Sequence, residues 1–303
     1  MRTALIIPVC NAGIYLDRLL PSLACQTLKP DEWLVIDSQS SDDTVDRFRS
    51  AGARVVTIDA TDFNHGGTRR WASEQVTADV LIYMTQDAIL ANPDSLRLLR
   101  DAVLSDDDIG VAYGRQLPHQ DAGLFGSHSR QFNYPPIGRT KRLSDAPQLG
   151  IKTCFSSNSF CAYRYSALMA VGGFPEDVIG TEDAYVAGRM LLNNWAVRYE
   201  AGAQVYHSHD YTILEEFRRY FDIGVFYGRE RWLANNFGKA AGEGRRYVMS
   251  EVQTLREAEQ SWRLMEVVLR SGLKWAGFRL GYWERYLPVC AKRRISMFAG
   301  YWK

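Results

Sequence analysis

Short apolar runs separated by helical stretches dominate the first two thirds of the chain. Residues 3–9 (Thr-Ala-Leu-Ile-Ile-Pro-Val) form an apolar run of strand length. Residues 32–37 (Glu-Trp-Leu-Val-Ile-Asp) and 79–87 (Asp-Val-Leu-Ile-Tyr-Met-Thr-Gln-Asp) read as strands too, and each ends in an acid. Residues 53–58 and 109–115 are further strand candidates. Between them, Tyr15, Leu16, Leu19, Leu20 and Leu23 recur at helical spacing, and helices are predicted at about Asp42–Arg49, Thr68–Gln75 and Pro93–Leu104. This alternation predicts an α/β fold with a mainly parallel sheet flanked by helices. Residues 118–150 break it: Pro118, Pro135, Pro136 and Pro147, several glycines, and Arg130, Arg139, Lys141 and Arg142 read as a long mobile loop. A strand-like stretch at Thr153–Tyr163, a turn at Gly172-Gly173-Phe174-Pro175, a helix opening at Thr181 and a strand at Val197–Tyr206 follow. From Ile213 the pattern is helical and rich in Trp, Tyr and Arg. The predicted organisation is an α/β domain over 1–210 and a helical C-terminal extension over 211–303.

Composition narrows the class. The 36 basic and 35 acidic side chains nearly cancel, and no RNP, KH or helix-turn-helix pattern appears, so no nucleic-acid partner is expected. Five cysteines, an odd number with no Cys-x-x-Cys pair, fit reduced thiols in a cytosolic protein. No apolar stretch reaches the roughly 18–20 residues of a spanning helix. The charge is uneven, however. From Trp262 to Lys303 there are nine Lys or Arg against two Glu, interleaved with nine large aromatics. That mixture suits either an anionic membrane interface or a helical cap with a solvated basic face. On the first reading, the last turns from about Met297 contribute to membrane binding.

The candidate chemistry sits at strand ends, where ligands of open α/β sheets bind. Asp37 closes a strand and can accept from a nucleotide base N–H, whereas Ser41 and Asp42 read as turn and cap residues. Asp87 also closes a strand. One carboxylate and a diphosphate can together hold Mg²⁺ or Mn²⁺; the alternative is a turn-capping Asp. In Asn64-His65-Gly66-Gly67-Thr68-Arg69-Arg70, glycines allow close backbone approach, a helix start favours an anion, and the arginines can pair with phosphate oxygens. A capped helix with surface arginines is the alternative. Glu182 and Asp183 lie in a first helical turn, where the dipole favours acids. His207 and His209 alternate, so in a strand only one can join the site, and His207 is favoured.

These segments resemble glycosyltransferase family 2. Asp37-Ser38-Gln39-Ser40-Ser41-Asp42-Asp43-Thr44 resembles the family's Asp-x-x-Ser-x-Asp-x-Thr pattern, and Pro8-Val9-Cys10-Asn11 its Pro-x-Tyr-Asn strand end, with Cys10 in place of tyrosine. Gln86-Asp87-Ala88 stands where the family carries Asp-x-Asp, and the 64–70 string is similar to a loop of bacterial rhamnosyltransferases. The resemblance implies a GT-A fold and inversion at the anomeric carbon. It implies Asp183 as general base with Glu182 orienting it or binding an acceptor hydroxyl, and His207 completing the metal shell of Asp87. Pro8, Asn11, Asp37, Ser40, Gln86, Asp87 and the loop His65, Gly66, Gly67, Thr68, Arg69 and Arg70 would bind a nucleotide-diphospho-sugar donor, dTDP-L-rhamnose. The implied acceptor is a polyprenyl-diphosphate-linked glycan such as O-antigen, met at the cytoplasmic face of the cell membrane by a peripheral enzyme. A sugar nucleotidyltransferase and a non-catalytic glycan-binding scaffold remain open. The first normally carries a Gly-rich basic loop after the first strand, which Asn11-Ala12-Gly13 does not supply; Asp37, Asp87 and Asp183 argue against the second.

Overall fold

The computed structural model describes residues 1–238 and 242–303; the helical reading at 239–241 lies outside the described residues. The first apolar runs become β1 (Thr3–Val9) and β2 (Glu32–Asp37), joined by α1 (Gly13–Ala24). After α2 (Thr44–Ser50), β3 (Arg54–Thr57) and α3 (His65–Glu74) comes β4 (Val80–Met84). These strands lie in the order β3-β2-β1-β4, all parallel, with Ile6 level with Leu34 and Tyr83. Helices cover both faces, which is why β1 and β4 are apolar without alternation.

The short β5 (Ile89–Leu90), α4 (Ser95–Leu104) and β6 (Ile109–Leu117) follow. Residues 118–150, expected to be a mobile loop, instead hold α5 (Leu124–Asn133), β7 (Arg139–Lys141) and α6 (Ala146–Leu149). Tertiary contacts override the local proline and glycine signals. Phe125, Tyr134 and Ala146 are buried, β7 pairs antiparallel with a later strand, and Lys141 Nζ donates to the carbonyls of Lys152 and Phe155. The strand expected over 153–163 is confined to β8 (Phe160–Arg164), because 150–154 coil into a 3-10 turn. After α7 (Tyr165–Ala170) and α8 (Glu182–Leu192), β9 (Ala196–Tyr206) completes the sheet. β8 inserts antiparallel between β4 and β6, and β9 runs parallel to β6. Six of the nine strands among the described residues thus share one direction.

The C-terminal helices are α9 (Ile213–Arg229), α10 (Arg231–Phe237), α11 (Glu243–Glu257), α12 (Leu264–Tyr282) and α13 (Val289–Ile295). Phe221, Val225, Phe226, Leu233 and Trp302 belong to the same buried cluster as Ile6, Tyr83 and Val197 of the sheet. The extension is therefore built onto the sheet by a shared core. α9 and α12 approach along paired glycines. A Cβ at Gly224 would overlap Phe278 O, and one at Gly281 would overlap Phe221 O. Gly224-x-x-x-Gly228 faces Gly277-x-x-x-Gly281, a small-residue spacing that lets two backbones touch.

Candidate active site

The ends of β1 and β2 are stitched together by short polar side chains. Val9 is level with Asp37, and Ser38 N donates to Val9 O. The buried Asp37 carboxylate accepts from Ser40 N at 3.2 Å. Asn11, at φ 49°, donates from its backbone to Ser40 Oγ, and its Oδ1 accepts from Ser41 N. Thr44 Oγ1 and Asp42 Oδ2 accept from Ala12 N and Gly13 N. The Ser/Asp/Thr string thus shapes the turn that follows Pro8, while Ser38 Oγ is buried without a partner. Gln86 bridges to the same turn: its Oε1 accepts from Cys10 N and its Nε2 donates to Cys10 O. A carboxylate could not donate the second bond, which accounts for an amide where a first acid was expected.

Asp87 is not the end of a strand as expected. β4 stops at Met84, and Ala88 N donates to Thr85 O, so Asp87 rides on the turn between β4 and β5. Asp87 Oδ2 lies 3.4 Å from His207 Nε2 and 3.5 Å from His209 Nε2. The expectation that only one histidine could join the site is corrected here. β9 ends at Tyr206, and beyond it the strand alternation no longer applies. Both rings turn to Asp87, their centroids 4.7 Å apart. One ligand atom from each of the three residues can be chosen within 4.8 Å of the others.

A chain of hydrogen bonds sets the tautomer of His207. Arg130 Nη1 can only donate, and it donates to Gln116 Oε1. His207 Nδ1 lies 2.9 Å from the same oxygen, so Nδ1 carries the proton and Nε2 is left as a lone pair facing Asp87. Lone pairs opposed in this way call for a cation between them, and an outer partner fixing the imidazole is the usual support of a metal ligand. Burial pushes His209 down to about 4, so its imidazole is neutral at pH 7.

The acid pair sits at the start of α8, after Thr181 in the left-handed region at φ 63°. Its two members face different ways. Glu182 is buried and pairs with Arg69 at 3.1 Å. Asn158 Nδ2 donates to Glu182 Oε1 at 2.8 Å, and Tyr163 Oη donates to Asn158 Oδ1 at 2.7 Å. Glu182 Oε1 is therefore engaged inside the fold by Arg69 and Asn158. Asp183 is half-buried, accepting from Ala184 N at 2.7 Å and Asn158 N at 3.2 Å. Burial, reinforced by the Glu182 charge, pushes Asp183 up to about 7. A carboxyl so raised is matched to taking a proton near neutral pH. If Asp183 is the base, kcat/KM should fall about tenfold per pH unit below about 7 and level off above it, because only the ionised form accepts a proton. A pH–rate profile tests this; a flat profile down to pH 5 would remove Asp183 from the proton transfer.

The 64–70 string is arranged as a capped helix start. Asn64 Oδ1 accepts from Gly66 N and Gly67 N, so these donors are already used as a helix cap. The close approach at Gly66 is to Pro175 O of the same chain, not to a ligand. Thr68 is buried with its Oγ1 accepting from Asn64 N, and His65 packs edge-on between Phe63 and Phe298. Arg69 is held by Glu182, while Arg70 turns outward to Glu176 at 3.3 Å. Sequence reasoning placed His209 second to His207 and assigned no site role to Gln116, Arg130 or Asn158. A polar residue near the end of an apolar strand is the signal that could have found Gln116.

Acids and imidazoles gathered beyond the carboxyl ends of a mostly parallel sheet define a group-transfer site on an α/β scaffold. The profile described as Glycosyl transferase family 2 matches residues 4–172, and the chain belongs to that family. It is a glycosyltransferase, which sets aside the nucleotidyltransferase and scaffold readings. The O-antigen chain rhamnosyltransferase RfbN of Salmonella typhimurium is 43% identical over 304 residues, covering 100% of this chain and 96% of that one. WbaN of Salmonella anatum, also an O-antigen chain rhamnosyltransferase, is 40% identical over 98% of this chain and 95% of its own. Among solved structures, the mannosyltransferase PcManGT from Pyrobaculum calidifontis, in complex with GDP-Man and Mn²⁺, superposes with a TM-score of 0.63 at 16% identity. That match covers 94% of this chain and 88% of that one, and it shows the GT-A fold.

Proposed function

We propose that the chain is an inverting rhamnosyltransferase that moves L-rhamnose from dTDP-L-rhamnose onto a polyprenyl-diphosphate-linked glycan. The observation that carries this reading is near-full-length similarity to two O-antigen chain rhamnosyltransferases at 43% and 40% identity. Residues 1–210 would hold the donor and the base, and residues 211–303 the acceptor and membrane side. Asp37 would accept from the nucleotide base, with Ser38 Oγ as a buried group still needing a partner and Pro8, Asn11, Ser40 and Gln86 shaping the strand end. Asp183 would take the acceptor hydroxyl proton as that oxygen bonds to the anomeric carbon. The bond to the diphosphate breaks and its electron pair leaves with the phosphate oxygen.

Asp87, His207 and His209 would hold a divalent cation, with His207 fixed by Gln116. One carboxylate and two imidazoles suit Mn²⁺ better than Mg²⁺, which prefers an all-oxygen shell. When bound, the cation would neutralise charge developing on the leaving diphosphate. The test is donor hydrolysis across a panel of nucleotide sugars. The reading requires dTDP-L-rhamnose to be cleaved fastest, and indifference to it would sink the donor assignment.

No described helix is long and apolar enough to cross a membrane. The chain instead carries an apolar face along and just before α12, where Trp262 is 79% exposed, Met265 76%, Val268 64% and Trp275 68%. With Arg279 and Arg285 beyond, it would lie on the anionic cytoplasmic leaflet. The final turn does not belong to this face. Trp302 is buried, and Met297 N donates to Asp222 Oδ2, so truncation from Met297 would remove a packing element. The sharper experiment replaces Trp262, Met265, Val268 and Leu269 with serine. Wild type should sediment with phosphatidylglycerol-containing vesicles, partly resisting high salt. The variant should lose the salt-resistant part and keep donor hydrolysis. Equal sedimentation of the two proteins would make α12 an ordinary surface helix.

A further inference from the structure

Beyond His209 the protein holds a cavity of about 930 Å³, walled by α5, α9, α11 and α12. His209 and Tyr211 stand at one side, with Trp275 and Phe278 contributed by α12. Asp37, Asp87 and His207 do not line it, so it adjoins the place where the donor's diphosphate would bind and shares only His209 of the triad with it. Its volume lies in the upper part of the usual ligand range, roughly 300–1,000 Å³, which is ample for a substituted sugar.

Its charges are not evenly matched. Lys152 is paired with Glu243, Lys274 and Arg270 with Glu216, and Arg263 with Glu266. Among the described residues, the two lining arginines without a carboxylate partner are Arg130 and Arg219. Arg130 spends one donor on Gln116 and has a buried Nε with no partner. Arg219 donates to Tyr211 Oη at 3.1 Å and otherwise stands open in the cavity. Unpaired guanidinium groups in a ligand-sized cavity are suited to phosphate oxygens. The cavity also continues outward: Trp275 lines it and is on the helix that carries the exposed apolar face.

We propose that this cavity is the acceptor site, that Arg219 grips the diphosphate of a prenyl-diphosphate-linked acceptor, and that the prenyl chain leaves past Trp275 onto the apolar face of α12. The assignment rests on the reading of the chain as a transferase acting on a lipid-linked acceptor. It divides two diphosphates between two places. The donor's belongs at Asp87, His207 and His209, the acceptor's beyond His209.

Farnesyl diphosphate is the probe, titrated with Mn²⁺ and dTDP at saturation. Wild type should bind it alongside dTDP at least tenfold tighter than farnesol. Arg219→Ala should erase that preference and leave dTDP affinity within twofold of wild type. Trp275→Ala should weaken farnesyl diphosphate and farnesol alike. If farnesyl diphosphate and dTDP exclude one another, or if Arg219→Ala weakens dTDP instead, the arginine serves the donor and the proposal is overturned. Equal binding of farnesol and farnesyl diphosphate would also overturn it. Hydrolysis of dTDP-L-rhamnose is measured in parallel. Its absence with the binding pattern intact would fail the donor reading and leave the acceptor site standing.

Discussion

Asp183→Asn is expected to lower turnover about a thousandfold, in the middle of the range for loss of a general base. The amide keeps the size and planarity of the side chain but cannot take a proton. Donor affinity should stay close to normal, since the hydrogen bonds of Asp183 among the described residues are to Asn158 N and Ala184 N at the helix start. The stability effect has a definite sign. A carboxyl raised from 3.8 to about 7 contributes stability that is fully present below pH 3.8 and is lost as pH rises toward 7. Asparagine never ionises beside Glu182, so at pH 8 the variant should melt no earlier than wild type. Turnover, donor binding and melting temperature measured on one preparation separate a lost base from a damaged fold. Retention of most activity would leave the proton acceptor to be found elsewhere.

Asp87→Ala is expected to abolish tight Mn²⁺ binding and to cut turnover roughly a hundredfold or more, the upper end of what even outer-shell metal partners are worth. Asp87 is the only charge-bearing member of the triad when both imidazoles are neutral, and the only one with oxygen ligands. His209→Ala should weaken Mn²⁺ as well, which a bystander histidine would not do. Free Mn²⁺ followed by its paramagnetic resonance signal reads binding without relying on activity. Chelation should silence the wild type, with Mn²⁺ restoring it better than Mg²⁺. Full turnover in excess chelator would show that the triad does not recruit a required ion.

β1 and β2 were legible from their apolar runs and match expectation, and β9, where buried and half-buried positions alternate, begins one residue earlier than expected. Asp37 was placed correctly at the end of β2, whereas Asp87 was not at a strand end because β4 stops at Met84. What failed depended on distant partners. β7 exists because β9 offers an edge, and no local signal at Arg139–Lys141 announces it. Arg69 and Glu182 were given separate ligand roles because 113 residues hide that they neutralise one another. The histidines were misassigned by carrying strand alternation past the end of β9. The paired glycines of α9 and α12 were readable as spacings, but their meaning lay in the facing helix.

Thr181 sets the working of the site against the durability of the fold. A β-branched residue at φ 63° holds a conformation that costs of order 1–3 kcal/mol and persists only where its surroundings insist on it. Here the next two residues are the buried ion-pair acid and the acid assigned as base. Replacing Thr181 with glycine would release that strain and let the first turn of α8 sample other positions for Asp183. The altered chain should outlast the natural one on heating and turn over more slowly at its own working temperature. A screen that rewarded heat resistance alone would therefore drift toward glycine at this position and select a sturdier, poorer catalyst.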